Sequence, residues 1–354
     1  MAFTLAGLVA AAAETHAATR AQTNRQSEAA IRLAIVEETG ANLSSGKFDA
    51  LERMAEDFRR TKARTPSGTW KMGWLHKAFE TIGLNTPTPD AAIAMNATLQ
   101  AWLQSHPTSP TPYIALGHFS YWQTVAGWRH RLATSSALPN WEPYRQDLAE
   151  TYDFLLRAKP IAARDPEWYV VMENIGRLLE IDLAERYLLI QEGLDQEPHY
   201  HRLYFAAAES LLPKWGGSYR MVEAFANEAV TRSRDRDGES LYARIYWHLA
   251  QIEFGTDLFR ETGVEWNTVS RGFHDIVKAY PESWNLNAFA LFACTASDFA
   301  KAGQILEQIG DRIVLDLWPD RQTLEACQSL GANSMGANSK RAAPRPAQRV
   351  SYPR

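Results

Sequence analysis

Apolar residues recur along this chain with the spacing of amphipathic helices. The clearest stripe places apolar side chains three or four residues apart, at Phe48, Leu51, Met54, Ala55 and Phe58. Comparable stripes follow through most of residues 22–330. No run of alternating β-branched residues bounded by turns interrupts them, as a strand would require. The pattern predicts an all-α protein.

Several helices open with a proline that is followed two or three residues later by Trp or Tyr. Pro166, Pro198 and Pro281 are of this kind, and the first two are 32 residues apart. A second helix is predicted 16 to 20 residues after each proline, starting near Asp182, Ser218 and Asp298. Two helices per unit at this period predict antiparallel helical hairpins stacked as a tetratricopeptide-like α-solenoid.

Residues 211–218 form the most distinctive connection between two predicted helices. Pro213 ends one helix, the two glycines permit positive φ, and Ser218 can cap the next helix. Backbone amides before a helix start, flanked by cations, can bind an anion, so the candidate binding residues are Lys214, Trp215, Gly216, Gly217, Ser218 and Arg220. The alternative is a structural turn, in which Trp215 folds back onto the preceding hairpin, and the missing phosphate-loop spacing favours it.

The two ends of the chain differ from its body in composition. Residues 1–21 begin with an unbroken weakly apolar run and predict either a secretory signal or an Ala-rich helix, which leaves the bacterial envelope and the cytoplasm both open. Residues 22–330 are predicted to be one helical-repeat domain. Residues 331–354 hold five Lys or Arg and no acid, and are predicted to be a disordered basic tail.

Net charge and cysteine content restrict the possible functions. The whole chain carries −4, and with the +5 of residues 331–354 removed the body carries −9, which disfavours nucleic-acid binding by the folded part. No apolar run is long enough to span a bilayer. Cys294 and Cys327 are 33 residues apart. If they lie on stacked helices whose axes are about 10 Å apart, we expect two free, largely buried thiols.

The sequence contains no catalytic signature, and we predict no catalytic residue, metal site or cofactor from it. His199 and His201 are two residues apart, and on a helix their rings would point about 200° apart, which disfavours a shared metal. Asp182 is interpreted as a helix cap near other solvated carboxylates. His118 lies in an aromatic-rich helix and is interpreted as a hydrogen-bonded core histidine.

Four stretches between Phe48 and Gly310 carry a resemblance to a known family. They are FDALERMAEDFRR, SGTWKMGW, LLPKWGGSYRMVEAFANEAV and LYARIYW. The segment resembles the bacterial family catalogued as domain of unknown function 4034, with the Trp-Gly-Gly-Ser stretch as its most specific part. More loosely, the hairpins are similar to tetratricopeptide repeats. The first resemblance implies an uncharacterised helical domain, and the second implies a concave surface for a protein or peptide partner.

Two functions of different classes follow from these observations. The first is a non-catalytic helical-repeat scaffold that binds a protein or peptide partner. The alternative is an α-helical toroid enzyme that acts on a glycan or another polymer, with Trp-lined subsites and a pair of carboxylates. A carboxylate pair facing across a Trp-lined cleft would favour the enzyme, whereas a groove with scattered polar residues would favour the scaffold.

Overall fold

The structure is a computed structural model that describes residues 27–86, 88–134 and 140–342. These residues are predominantly helical and contain no β-strand, which confirms the all-α prediction. The chain divides into two compact units, with the boundary between Leu241 and Tyr242. The sequence had predicted a single helical domain over residues 22–330. Among the described helices, none is both long enough and apolar enough to cross a membrane. The predicted N-terminal signal or Ala-rich segment lies outside the described residues.

Unit 1 contains eleven α-helices within its described residues. They are α1 (Glu28–Ser44), α2 (Phe48–Thr61), α3 (Lys71–Asn85), α4 (Pro89–Ser105), α5 (Pro110–Thr134), α6 (Glu142–Arg157), α7 (Lys159–Ala162), α8 (Glu167–Leu178), α9 (Leu183–Gln196), α10 (His201–Ser210) and α11 (Tyr219–Asp237). A 3₁₀ turn, Pro213–Trp215, lies between the last two. Several of these helices pack side by side in a series: α3 contacts α1 and α5, α5 contacts α8, and α8 contacts α10.

Local hydrogen bonds cap several helix starts in unit 1, including the starts predicted at Asp182 and Ser218. The hydroxyl of Thr88 accepts from the amide of Ala91, Asp182 accepts from Ala184, and Ser218 accepts from Met221. Apolar stripes from α1 to α5 meet in one core. Its buried members are Ile35, Leu43, Leu51, Ala55, Met72, Leu75, Phe79, Leu99, Trp102, Ala115, Leu116 and Phe119.

Unit 2 begins within the first turn of α12 (Ser240–Leu249), which continues as a π-helical turn over Ala250–Phe254 and a 3₁₀ turn over Gly255–Asp257. The elements that follow are α13 (Leu258–Thr262), α14 (Trp266–Ala279), α15 (Ser283–Thr295), α16 (Phe299–Ile309), a 3₁₀ turn at Leu315–Leu317 and α17 (Arg321–Ala342). Aromatic rings fill its centre: Phe273 stacks on Phe289 at 5.2 Å and meets Phe292 at 4.9 Å between ring centroids.

The predicted free thiols are wrong, because Cys294 and Cys327 form a disulfide. Their Cα atoms lie 6.0 Å apart, inside the range of Cα separations that disulfides span. Neighbouring axes about 10 Å apart do not prevent this, since each Cα lies about 2.3 Å from its own axis and two facing residues approach to roughly 5–6 Å. The sequence spacing indicated neighbouring helices but not that these two residues face each other.

The predicted tail boundary at Gly331 is also wrong, because α17 continues to Ala342. Gly331 lies against Gly303 of α16, and a Cβ on Gly331 would come within 2.7 Å of the Gly303 Cα. Gly331, where the tail was predicted to begin, is therefore a point of close helix–helix packing. Gly40 also lies inside a helix, α1. Residues 343–354, the remainder of the predicted tail, lie outside the described part of the chain.

Candidate functional site

An open groove of about 780 Å³ lies on unit 1 between α2, the α4–α5 connection and the α7–α8 connection. Its lining is mostly charged or polar and includes four arginines and three carboxylates: Arg53, Arg59, Arg60, Arg164, Glu52, Glu56 and Asp57. Helix α2 supplies most of them because its polar face points away from the core that holds Leu51 and Ala55. The result is a polar surface on a fixed helical frame.

The carboxylates of this groove already have partners within the protein. Glu52 accepts from the indole of Trp102 at 2.8 Å and from the hydroxyl of Ser109 at 2.7 Å. Arg59 pairs with Glu56 at 2.8 Å, and Asp57 is paired in the same way with Arg60. Glu56 and Asp57 are therefore paired with arginines, whereas Glu52 keeps its negative charge because both of its partners are uncharged.

Two of the arginines have no such ion pair. Arg164 donates to the carbonyl oxygens of Ile161 and Thr108, and both acceptors are uncharged. Arg53 is exposed. Within residues 27–86, 88–134 and 140–342, neither guanidinium has a carboxylate within ion-pair distance. The groove lining consequently carries four positive and three negative charges, a net charge of +1, and its arginines Arg53 and Arg164 have no carboxylate partner of their own.

Beneath the groove, ionisable side chains continue into the interior of unit 1. Arg59 reaches inward and pairs at 3.0 Å with Asp165, which is fully buried. Asp165 lies 3.5 Å from Nε2 of His76, and the His76 ring lies 5.8 Å from the ring of His118. Burial raises the pKa of Asp165, but His76 and Arg59 outweigh that effect and hold the pKa well below its usual value. Asp165 is therefore ionised in the interior.

The deepest part of this network is a cluster of four residues from four helices. Glu80 comes from α3, His118 from α5, Glu167 from α8 and Arg202 from α10. Nε2 of His118 lies 2.8 Å from Oε1 of Glu167, and Arg202 donates to both carboxylates. The hydroxyl of Tyr200 also donates to Glu167. Because these helices pack in series, one polar residue from each reaches the same point.

Partners in this cluster determine the charge of each group. Burial raises the pKa of Glu167, but the Arg202 guanidinium and the His118 hydrogen bond outweigh it and lower the pKa to about 2. The pKa of Glu80 is likewise lowered overall, against burial, chiefly by Arg202. For His118, burial lowers the pKa more than Glu167 raises it. Two ionised carboxylates and a neutral imidazole are thus expected at neutral pH. The interpretation of His118 as a hydrogen-bonded core residue is confirmed.

The predicted binding stretch forms a compact turn between α10 and α11. The amide of Gly216 donates to Pro213 and that of Gly217 to Leu212, so neither amide is available in the way the anion site required. Gly216 has φ of +85°, and a Cβ on Gly217 would clash with the Leu211 carbonyl oxygen. Gly217 is therefore needed for a close approach and not for positive φ. Ser218 caps α11 as predicted.

The two side chains that flank this turn are exposed, and its tryptophan is half-buried. The indole of Trp215 lies against Arg177 of α8, with the guanidinium carbon 5.4 Å from the ring centre. Lys214 and Arg220 are exposed. The structure does not bring these residues together with the groove residues or with the buried cluster as one site. Binding by Lys214, Trp215, Gly216, Gly217, Ser218 and Arg220 stays a prediction.

The histidine pair also differs from its predicted geometry. Helix α10 begins at His201, so His199 precedes the helix and the expectation of opposed rings does not apply. Nδ1 of His199 and Nε2 of His201 lie 3.0 Å and 3.5 Å from the same oxygen of Asp237. The pair therefore holds the end of α11 against the start of α10.

The sequence singled out His118 but not the other residues of the buried cluster, and it did not indicate the groove. One local signal was available: His76 and Glu80 are four residues apart on α3 and therefore share a helix face. Arg202 and Glu80 are 122 residues apart, and no pattern in the chain pairs them.

Comparison with known proteins identifies no family, so the protein is classified by its all-α fold alone. No family model matches the chain, and neither a curated protein nor a solved structure matches it significantly. The resemblance to the 4034 family and the solenoid arrangement therefore stay predictions.

Proposed function

We propose that this protein is a non-catalytic helical-repeat scaffold whose groove on unit 1 binds an acidic segment of a protein or peptide partner. The observation that carries the proposal is the pair of arginines Arg53 and Arg164, whose guanidinium groups have no carboxylate partner within the described residues, in a groove of net charge +1. Guanidinium groups bind carboxylates through paired hydrogen bonds, so acidic side chains fit this surface.

The groove is suited to recognition because hydrogen bonds and ion pairs fix the helices and connections that form it. Arg59 ties α2 to Thr111 of α5 at 3.0 Å and to Asp165 at 3.0 Å. Arg164 ties the α7–α8 connection to the α4–α5 connection through Thr108. A site that is already ordered loses less conformational entropy when it binds a ligand.

The enzyme alternative finds less support in the buried cluster. Glu80 and Glu167 are a close carboxylate pair, but Arg202 joins them and the pKa values of both are lowered. A glycosidase needs one carboxyl group whose pKa is raised so that it can act as an acid. The pair has the electrostatics of an ion-pair cluster.

The proposal is tested with a fluorescein-labelled peptide of eight glutamates and with glutamine and lysine peptides of the same length. Fluorescence anisotropy at two salt concentrations measures binding to the full chain. We expect the glutamate peptide to bind, and to bind more weakly at high salt. The double variant Arg53→Gln and Arg164→Gln should lose about tenfold in affinity, which corresponds to about 1.4 kcal/mol.

A charge-matched control separates the groove from general electrostatics. Arg145 and Arg260 have exposed side chains and do not line the groove, so Arg145→Gln with Arg260→Gln removes the same charge elsewhere. This control should bind as the wild type does. Equal binding by the two double variants, or no preference for the glutamate peptide, would refute the proposed site.

A further inference from the structure

The buried cluster also holds a set of metal-ligating atoms. One donor atom from each of Glu80, His118 and Glu167 lies within 4.8 Å of the other two. All three side chains are almost fully buried, with 5%, 1% and 0% of their surface exposed. Around a tetrahedral ion with bonds of about 2.0–2.1 Å, donor atoms are about 3.3 Å apart. Shifts of about 1 Å would therefore close the set around one ion.

The charge in the cluster matches a divalent cation. Glu80 and Glu167 together carry two negative charges, and Arg202 and Lys77 balance them, with Lys77 at 2.7 Å from Glu80. The acids are buried, whereas the side chains of Arg202 and Lys77 are 27% and 40% exposed. Both cations thus approach from the solvent side and can turn outward. One divalent ion could balance the two carboxylates in place of Arg202 and Lys77.

A fourth potential donor stands beside the set. His76 precedes Glu80 by one helical turn on α3 and is fully buried. Its Nδ1 has no hydrogen-bond partner among the described residues, although a buried polar atom normally has one. Its ring lies 5.8 Å from that of His118. An unsatisfied imidazole in the interior, next to two carboxylates and a second imidazole, is what a completed metal site would use.

We propose that Glu80, His118 and Glu167 bind a divalent transition-metal ion of the zinc type, with His76 as the fourth donor and with Arg202 and Lys77 displaced toward solvent. Two carboxylates and two imidazoles are ligands that Zn²⁺, Co²⁺ and Fe²⁺ accept, whereas Mg²⁺ and Ca²⁺ prefer oxygen alone. Binding transfers any proton on the ligating imidazole nitrogens to solvent, so metal uptake releases protons. In the metal-free state Arg202 holds the site closed.

Gly73 allows Arg202 to be displaced while its charge is kept. A Cβ at Gly73 would lie 2.6 Å from Cδ of Arg202, which is too close, so the side chain would have to move away. Gly73 lies in α3, where alanine is a better helix former by about 1 kcal/mol. Gly73→Ala is therefore expected to keep the fold while it loosens Arg202 from Glu80 and Glu167.

The test is titration of the chelator-treated full chain with Co²⁺, followed by its visible d–d absorption, and with Zn²⁺ in a calorimeter. We expect one Co²⁺ per chain with a four-coordinate spectrum. Both Gly73→Ala and Lys77→Gln should bind about tenfold more tightly than the wild type, because each weakens a competing cation. His118→Gln in the Gly73→Ala background should abolish the spectrum.

His106→Gln is the matched control, because His106 is a partly exposed histidine that pairs with Asp49 away from the cluster. It should leave the Co²⁺ spectrum and affinity unchanged. Circular dichroism of each variant shows whether it remains folded. The proposal is overturned if neither Gly73→Ala nor Lys77→Gln raises the affinity of the folded protein for Co²⁺, or if His118→Gln leaves binding intact.

Discussion

Unit 1 and unit 2 are both built from helices, but different interactions stabilise their interiors. In unit 1 the helices α3, α5, α8 and α10 meet at a buried ionic cluster around Glu167. In unit 2 the centre is a set of stacked aromatic rings around Phe273, and a disulfide joins α15 to α17. The stability of unit 1 should therefore depend on the protonation of its buried carboxylates, and that of unit 2 on the oxidation state of its cysteines.

This difference has a thermodynamic consequence. Buried ion pairs are costly to desolvate and stabilise a fold only when every member is present, so they fail steeply when one partner is lost. Aromatic packing has no titrating group, and a disulfide acts largely by restricting the unfolded chain. Unit 1 should respond sharply to single charge changes, and unit 2 should respond to reduction.

The largest effect is expected from Glu167→Gln in unit 1. The variant leaves Arg202 and Tyr200 with a weaker acceptor in a buried place, and breaking such a cluster costs about 3–5 kcal/mol. Urea unfolding followed by circular dichroism measures the loss. Glu197→Gln is the control, because Glu197 pairs with Lys62 at the surface and its removal should cost at most about 1 kcal/mol. Equal costs for the two variants would contradict the importance of the cluster.

A slightly smaller effect is expected from removing the disulfide of unit 2. The paired variants Cys294→Ser and Cys327→Ser open a loop of 33 residues, which corresponds to about 3–4 kcal/mol in the chain-entropy model. Hydrogen exchange should become faster in α15 and α17 and stay unchanged in α3 and α5. Peptide mapping without reductant checks the bridge itself. Recovery of two free thiols from protein that was purified under oxidising conditions would show that this part of the comparison is wrong.

Acid should act mainly on unit 1. Four carboxylates whose pKa values are lowered by buried partners lie there: Glu80, Asp165, Glu167 and Asp237. A lowered folded pKa means that the stabilisation is complete above the unfolded value and is lost as the pH falls. For Glu167 this window runs from the ordinary value of 4.5 down to about 2, and it is worth roughly 3 kcal/mol.

The measurement compares wild type with Glu167→Gln across this range of pH. Because glutamine does not ionise, the difference in free energy of unfolding should be largest above pH 5 and should shrink as the pH approaches about 2. The free energy that the disulfide contributes to unit 2 should stay constant over the same range of pH. A difference between the two proteins that does not change with pH would argue against an ionised Glu167.

Local features of both units were predictable from the sequence, and long-range ones were not. Caps at Asp182, Ser218 and Asp298 agree with the structure because a cap involves residues only two or three positions apart. The cluster joins Glu80 to Arg202 across 122 residues, and no period in the chain encodes that pairing. Gly331 illustrates the same limit, since a glycine that ends a helix and a glycine that packs against another helix look alike in one sequence.

The smallest effect on stability is expected at the contact between Gly303 and Gly331. A pair of glycine substitutions tests whether this contact is a close helix–helix packing point. In Gly303→Ala the new Cβ would come within 2.9 Å of the Gly331 backbone in α17, and backbone cannot move aside as a side chain can. Overpacking of this kind costs about 1–3 kcal/mol, against a gain of about 1 kcal/mol in helix propensity. Gly40→Ala is the matched control, because Gly40 is also inside a helix and a Cβ there would meet no atom within 4 Å. Gly40→Ala should raise the melting temperature slightly and Gly303→Ala should lower it. If both substitutions are stabilising, α16 and α17 do not approach as closely as the structure shows, and unit 2 depends on its disulfide more than on this contact.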